Sequence, residues 1–338
     1  MQLMPPLIRP EHIQEKLHID LSVIVPVYNE QKVIRTFHHA LCKVIAQMHN
    51  ERIEVIYIND GSSDKSWEMI QALTCPFANI VRLNLSRNFG KEAAMTAGID
   101  HANGKATVLL DADLQDPPEL LPDMLKVLRN GYDVVNMKRR QRFGESFFKK
   151  FCAKQYYRLF KSLSDGQIET GVGDFRMLSE RIVNHIKKMP ERSRYMKGLM
   201  SWPGFKQTTL HFDRPQRVAG LSKWSFLQLI GLALSGITAF SVKPLKLATF
   251  AGALLSIFAF IYAIWVFTKT MLFGEAVAGY PTLLLIQLFL GGVQLIAIGI
   301  VGEYVGRIFL EAKARPVYLL MDSESSVANS HSRVNKHG

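Results

Sequence analysis

The sequence predicts a doubly wound α/β domain with a mostly parallel sheet, followed by a membrane-anchored C-terminal third. Three observations carry this reading. Short β-branched runs alternate with helical patterns as far as Arg139, two carboxylates close the fourth of those runs, and two long stretches near the C-terminus carry no charge.

"LSVIVPV" (21–27) reads as a buried strand, "EVIYIND" (54–60) as a second, "NIVRLNLS" (79–86) as a third and "ATVLLDAD" (106–113) as a fourth. "DVVNMKR" (133–139) adds a further strand. Amphipathic helices fit between them over about 30–48, 65–73 and 91–102. Regular strand and helix alternation with short links is the pattern of a parallel sheet covered on both faces. The expected domain spans 20–220, after an N-terminal extension over 1–19 that has no long apolar core and is no signal peptide.

The pattern then changes. "ESFFKKFCAKQYYRLFKSL" (145–163) carries aromatic and basic residues at helical spacing. That suits an interfacial helix with lysines toward anionic headgroups, or an amphipathic helix packed on the sheet, and periodicity does not separate the two. Residues 221–243 are apolar enough to lie along the membrane interface. Between Lys246 and Lys269 there are 22 uncharged residues, and between Glu275 and Glu303 there are 27. A bilayer core needs roughly 20, so membrane helices are expected over 244–268 and 280–306, joined by a loop at 269–279 on the far side. Lys243 and Lys246 precede the first span and Arg307, Lys313 and Arg315 follow the second. The positive-inside rule places both ends, and the large N-terminal domain, in the cytoplasm of an inner (plasma) membrane. The tail, 307–338, has no core-forming residues beyond Asp322 and is expected to be disordered at its end.

A net charge of +12 suits nucleic acid, a membrane surface or phosphorylated ligands; the apolar C-terminal third favours the membrane over nucleic acid. Cys42, Cys75 and Cys152 show no paired metal-ligand spacing and read as reduced thiols. The ten histidines include no H-E-x-x-H pattern. Trp202, Trp224 and Trp265 read as packing or interface residues. Gly291, Gly292, Gly299, Gly302 and Gly306 line the second span with small residues, a helix-packing device within or between subunits that suggests a homo-oligomer.

The chemistry gathers in "TVLLDADLQDPPELL" (107–121). Asp116, Pro117, Pro118 and Glu119 form a helix-start signature, with Asp116 as cap and Glu119 reaching back. That leaves Asp111 and Asp113 at the carboxyl end of a strand, where open α/β sheets place ligands. Both can face one ligand where the backbone turns. Three further segments, "VPVYNE", "NDGSSD" and "LSRNFGKE", fall at successive strand ends on the same sheet edge.

At this point the chain resembles the family 2 glycosyltransferases of GT-A fold, and in particular the polyprenyl-phosphate glycosyltransferases. The matching residues are "SVIVPVYNE", "NDGSSD", "LSRNFGKEAA", "DADLQDPPE", "GVGDFRMLS", "RVAGLSKWS" and "GEYVGRIFLEAKARPVY", covering about Asp20 to Tyr318. The resemblance implies a cytosolic GT-A domain that binds a UDP-sugar donor through Pro26, Tyr28, Glu30, Asp60, Arg87, Lys91 and Asp111. It implies Mg²⁺ or Mn²⁺ on Asp111 and Asp113, with Gln115 as a further oxygen ligand, since hard cations take oxygen donors. Asn59 stands where the family often has Asp.

A polyprenyl phosphate acceptor needs cations. Arg139, Arg140 and Arg142 are placed for it, although a membrane-surface basic patch is a near-equal reading; Arg217 and Lys223 match a family segment near the phosphates and could equally meet headgroups. Asp174 matches the position discussed as a catalytic base. A phosphomonoester with a second pKa of about 6 needs none, so Asp174 is expected to orient sugar or acceptor, with Arg176 on phosphate. The expected reaction is inverting transfer of a hexose, glucose by subgroup likeness, to polyprenyl phosphate. Mannose or aminoarabinose transfer is the nearest rival. A processive polysaccharide synthase ranks lower because no Q-x-x-R-W segment is present, and a non-catalytic membrane scaffold ranks lower because Asp60, Asp111 and Asp113 are intact.

Overall fold

Leu21–Val27 forms β1, buried along almost its whole length, as an apolar run covered on both faces must be. The computed structural model describes residues 18–140, 172–192, 194, 196–213, 243–273 and 279–326. In it β1 pairs in parallel with β2 (Ile53–Asn59) and with β4 (Ala106–Leu109), and β3 (Ala78–Leu85) pairs in parallel with β2. Beyond β4 come β6 (Val172–Ser179), β5 (Val134–Arg139) and β7 (Gln207–Phe212). Strand β6 runs antiparallel to both neighbours, whereas β5 and β7 are parallel. The opposite edge is closed by β8 (Leu320–Ser326), antiparallel on β3. Four of these seven pairings are parallel, so the sheet is the mostly parallel one expected.

Helix α1 (Ile34–Ile45) turns Ile34, Phe37, His38, Leu41, Val44 and Ile45 inward, a stripe at helical spacing. Helices α2 (Ser66–Gln71) and α4 (Leu121–Arg129) follow β2 and β4. Helix α3 (Lys91–His101) departs from the amphipathic expectation, because every residue from Ala93 to Ile99 is buried. It lies on β1, β2 and β3 and is covered by α5 (Glu180–Lys188). Contact on the sheet side is close: a Cβ at Gly98 would stand 2.4 Å from Ile24 Cγ2. Helix α6 (Met196–Ser201) completes this layer.

Several expectations need correction. Strand β4 stops at Leu109, short of the two carboxylates. A 3₁₀ turn over Pro118–Leu120 starts from an extended Pro117, so the helix proper begins only at Leu121, and Asp116 is itself buried. Strand β8 carries order past Asp322 as backbone pairing on β3. The expected helix over 145–163 lies outside the described residues. So does the 221–243 segment up to Lys243.

At Lys243 a long helix begins, α7 (Lys243–Phe273), and α8 (Tyr280–Ala312) packs against it. Helix α7 extends beyond the expected span end into the expected loop. Phe289–Ala312 is long and apolar enough to cross a membrane, with a mean hydropathy of 1.6 and none of it buried in the protein. Ala248–Tyr262 forms a shorter apolar stretch. Phe250, Leu254, Phe258, Ile261 and Trp265 on α7 and Phe289, Leu295, Ile296 and Ile298 on α8 are all exposed, far more apolar surface than a water-soluble hairpin leaves open.

Candidate active site

The carboxyl ends of β1, β2, β3 and β4 meet along one edge of the sheet, and each is followed by one of the segments singled out above. The first two loops clasp each other. Asn29, at φ 55°, receives a hydrogen bond from Ser63 N (2.8 Å) on its Oδ1, and its own N–H donates to Ser62 Oγ (3.0 Å). Glu30 N donates to Ser66 Oγ (2.9 Å). Tyr28 is left exposed and Pro26 half-buried, open to a ligand lying across this edge.

Asp60 ties the second loop to the third. Its Oδ1 accepts from Phe89 N (2.8 Å) and its Oδ2 from Gly90 N (3.0 Å), and the residue is 3% exposed. Burial pushes its carboxyl above the ordinary value, against the pull of the two amides. The loops approach so closely that a Cβ at Gly61, where φ is +61°, would sit 2.3 Å from the backbone carbon of Arg87. Only glycine fits there. Asn59 donates through Nδ2 to Asn84 Oδ1 (2.8 Å) and accepts from Ser62 N (3.2 Å), so the departure from Asp is absorbed by an amide pair between β2 and β3. Arg87 is exposed, its guanidinium 4.2 Å from the centre of the Phe89 ring.

The fourth segment turns at its two carboxylates. Leu114 takes φ 61°, and Asp113 Oδ1 accepts from Gln115 N (3.1 Å), which turns the chain straight after the D-x-D pair. Asp111, Asp113 and Gln115 are all partly exposed. The antiparallel register of β4 and β6 matches Leu109 to Arg176; continued by two residues, it sets Asp111 opposite Asp174. Lys91, first residue of α3, spans the gap, with Nζ 2.7 Å from Asp111 and 2.8 Å from Asp174. Lys197 on α6 approaches Asp174 at 3.7 Å.

Burial alone would raise the Asp174 carboxyl, but Lys91, Lys197 and Arg176 outweigh it and hold it well below the usual carboxylate range. Lys91 is correspondingly held well above its ordinary value: partial desolvation opposes, and Asp111 and Asp174 prevail. Beside it, Glu92 accepts a hydrogen bond from Met196 N at 2.7 Å, and burial pushes its carboxyl up to about 7. Lys197 and Glu92 escaped the sequence reading. Glu92 directly follows Lys91 in "GKEAA", whereas nothing in sequence links Lys197 to Asp174.

Arg176 lies elsewhere than expected. It is 2% exposed within the sheet, its Nε donating to Gly173 O (3.1 Å), so its charge supports Asp174 from beneath and its head is shielded from a solvent-borne phosphate. Arg139 sits at the end of β5, partly exposed. Arg140 is exposed and lies 3.7 Å from Asp213. Arg142, Arg217 and Lys223 fall outside the described residues.

Asp111 and Asp113 fit a divalent cation of the hard, oxygen-seeking kind. Two partly exposed carboxylates stand two residues apart where the chain turns, and the Lys91 ammonium against Asp111 shows that the position stabilises positive charge. Such ions are commonly held by one or two carboxylates, with phosphate oxygens of the substrate completing the shell. Among the described residues no three His, Cys, Asp or Glu side chains form a protein cage.

A doubly wound domain with acidic and basic groups along its strand ends, joined to an apolar hairpin, defines a class. The Glycosyl transferase family 2 model matches residues 22–187, and the GtrB C-terminal hairpin matches 243–308. The chain belongs to glycosyltransferase family 2. It is 44% identical over 306 residues to an uncharacterized glycosyltransferase of Synechocystis sp., covering 90% of this chain and 95% of that one. It is 42% identical over 304 residues to the bactoprenol glucosyl transferase of Shigella phage SfV, covering 90% and 99%. A prophage bactoprenol glucosyl transferase homolog of Escherichia coli is 42% identical over 300 residues, covering 89% and 98%.

Proposed function

We propose that the protein is an inverting glucosyltransferase that moves glucose from UDP-glucose to a polyprenyl phosphate in the membrane. The observation that carries this reading is the 42% identity, across nearly the full length of both chains, to bactoprenol glucosyl transferases. Asp60, Lys91, Asp111, Asp113 and Asp174, gathered on one sheet edge beside an apolar hairpin, supply the chemistry it needs. The acceptor phosphate oxygen attacks the anomeric carbon as the bond to the diphosphate breaks on the opposite face. UDP leaves, and the α-linked donor yields a β-linked polyprenyl-phosphate sugar.

The residues divide this work. Pro26, Tyr28 and Glu30 form the open edge that receives the nucleotide, while Asp60 fixes the Arg87 loop against it. Asp111 and Asp113, with Gln115 beside them, would hold a divalent ion, which would supply positive charge against the departing diphosphate. Asp174 stays ionised and paired, which makes it a poor proton acceptor and a firm anchor for Lys91 and Lys197. Those ammonium groups line the path of a phosphate nucleophile. The apolar hairpin accounts for the acceptor's tail, with α7 and α8 as two spans and the catalytic domain on the cytoplasmic face of the inner membrane. Arg139 and Arg140, with Arg142, Arg217 and Lys223, draw the acceptor headgroup.

The glycine face of α8 supports an oligomer. A Cβ added at Gly291, Gly292, Gly299, Gly302 or Gly306 would meet nothing within 4 Å among the described residues, which leaves this small-residue face open to close packing by a second copy.

The test is transfer from a panel of radiolabelled nucleotide sugars to undecaprenyl phosphate in detergent with Mg²⁺ or Mn²⁺, alongside Asp113→Ala. Label should reach the lipid from UDP-glucose and be lost in the variant. Transfer from another sugar nucleotide alone would reassign the donor, and no transfer from any would sink the enzymatic reading.

A further inference from the structure

The segment after α8 is bound to the catalytic domain at three places, each next to an element that carries a site residue. In the last turn of α8, both carboxylate oxygens of Glu311 accept from the backbone N–H of Arg192, at 3.1 and 3.0 Å. The chain then reverses at Ala314, whose φ of 51° is unusual for a residue with a Cβ. Past the reversal the Arg192 guanidinium donates from Nη1 to Arg315 O. Arg192 therefore grips both arms of the turn. It stands in the link between α5 and α6, four residues before Met196, the N–H of which is held by Glu92, and five before Lys197, which faces Asp174.

The second place is Tyr318, which donates its hydroxyl to Asp100 Oδ2 at 3.1 Å. Asp100 lies near the C-terminal end of α3, the helix that begins with Lys91. The third is β8 itself. Ser86 N donates to Leu319 O at 2.9 Å, immediately before Arg87, and the strand continues along β3. The held backbone at Ala314 argues the same way, since a left-handed residue with a Cβ costs about 1 kcal/mol or more and persists only where its surroundings impose it.

We infer that Glu311, with Tyr318, is a positioning residue that fixes the membrane hairpin in register with α6 and α3, so that an acceptor phosphate held in the bilayer meets Lys197, Lys91 and Asp174. The inference rests on the acceptor reading above. A carboxylate accepting a backbone N–H makes a charge-assisted bond, and it joins an apolar helix to a polar domain at one residue. Loss of that bond leaves the donor site intact and loosens only the approach of a phosphate whose tail is anchored in lipid. A phosphate on a short, water-soluble tail reaches the site without the hairpin.

The experiment uses the full chain in lipid nanodiscs with two acceptors of the same phosphate chemistry, undecaprenyl phosphate and a water-soluble two-isoprene phosphate. For Glu311→Ala, kcat/KM with the long acceptor should fall about tenfold, while the short acceptor and UDP affinity change by less than about twofold. Glu311→Gln keeps an acceptor oxygen for the Arg192 N–H and should restore most of the loss. Equal loss on both acceptors, or no loss on either, overturns the inference. If Glu311→Ala does not fold, Tyr318→Phe, which removes one hydroxyl, is read by the same criterion. A wild-type chain inactive toward both acceptors overturns the acceptor reading and this inference with it, a result distinguishable because no variant is involved.

Discussion

The Lys91 ammonium lies 2.8 Å from the Asp174 carboxylate, bridging the start of α3 to the start of β6. Such a pair keeps Asp174 charged. Its carboxyl is held well below the usual range, so the stabilising contribution is fully present above the unfolded value of about 3.9 and is lost only as pH falls through the lower folded value. Near neutral pH there is nothing left to titrate. Asp174→Asn should therefore lower kcat about 10²-fold by misplacing Lys91 and Lys197, and raising the pH to about 9 should not restore it. A pH profile of transfer by the variant decides; recovery at high pH would reinstate a base at this position.

Lys91→Met separates the two roles of the lysine. Without the ammonium, Asp111 loses this ion pair while Asp174 keeps Lys197 and Arg176, and a divalent ion becomes the available counter-charge for Asp111. Mn²⁺ affinity, followed by electron paramagnetic resonance, should rise severalfold while transfer falls by about 10²-fold or more. Parallel loss of Mn²⁺ binding and transfer would mean that Lys91 supports the carboxylates in a way the ion pair does not describe.

How much of this was legible in sequence depends on the range of the interaction. Strands β1 to β5 could be read because each is a short local run of β-branched residues, and the D-x-D turn could be read because Asp111 and Asp113 follow one directly. Strand β6 could not, since "VGDFRMLS" carries Asp174 and Arg176, charges that discourage a buried-strand reading. Arg176 is buried because β6 is inserted between β4 and β5, a non-local fact. For the same reason Lys197 and the edge strand β8 were missed. The helix start after Asp116 differs for another reason: two consecutive prolines lead through an extended Pro117 into a 3₁₀ turn before α4 begins at Leu121. Candidates at Pro26, Tyr28, Asp60, Lys91, Asp111 and Asp113 do share one edge, because successive parallel strands present their carboxyl ends together.

Gly61 tests the junction between the second and third loops. Alanine there would need a left-handed backbone and would drive its Cβ into the backbone of Arg87 and Asn88. Steric overpacking and the positive φ together should cost about 2–4 kcal/mol. The loop held by Asp60 should also shift, so that UDP affinity falls along with the thermal midpoint. Unchanged UDP binding in a destabilised variant would separate this junction from nucleotide binding.

Glu92 gives the pH dependence that Asp174 does not. Its folded carboxyl is pushed up to about 7, chiefly by burial, from the ordinary glutamate value of 4.5. Between those values the folded state binds more protons than the unfolded one, so stability falls as pH rises through this window. Below it both states are protonated and the effect vanishes; above it the destabilisation is complete, on the order of 2 kcal/mol after allowance for partial exposure. Glu92→Gln cannot ionise, yet keeps an oxygen for the Met196 N–H. The variant should match the wild type in thermal midpoint near pH 4.5 and exceed it near pH 8. The difference between the two chains isolates Glu92 from every other titrating group, and a difference that stayed constant from about pH 4.5 to 8 would show that its carboxyl titrates as it does in water.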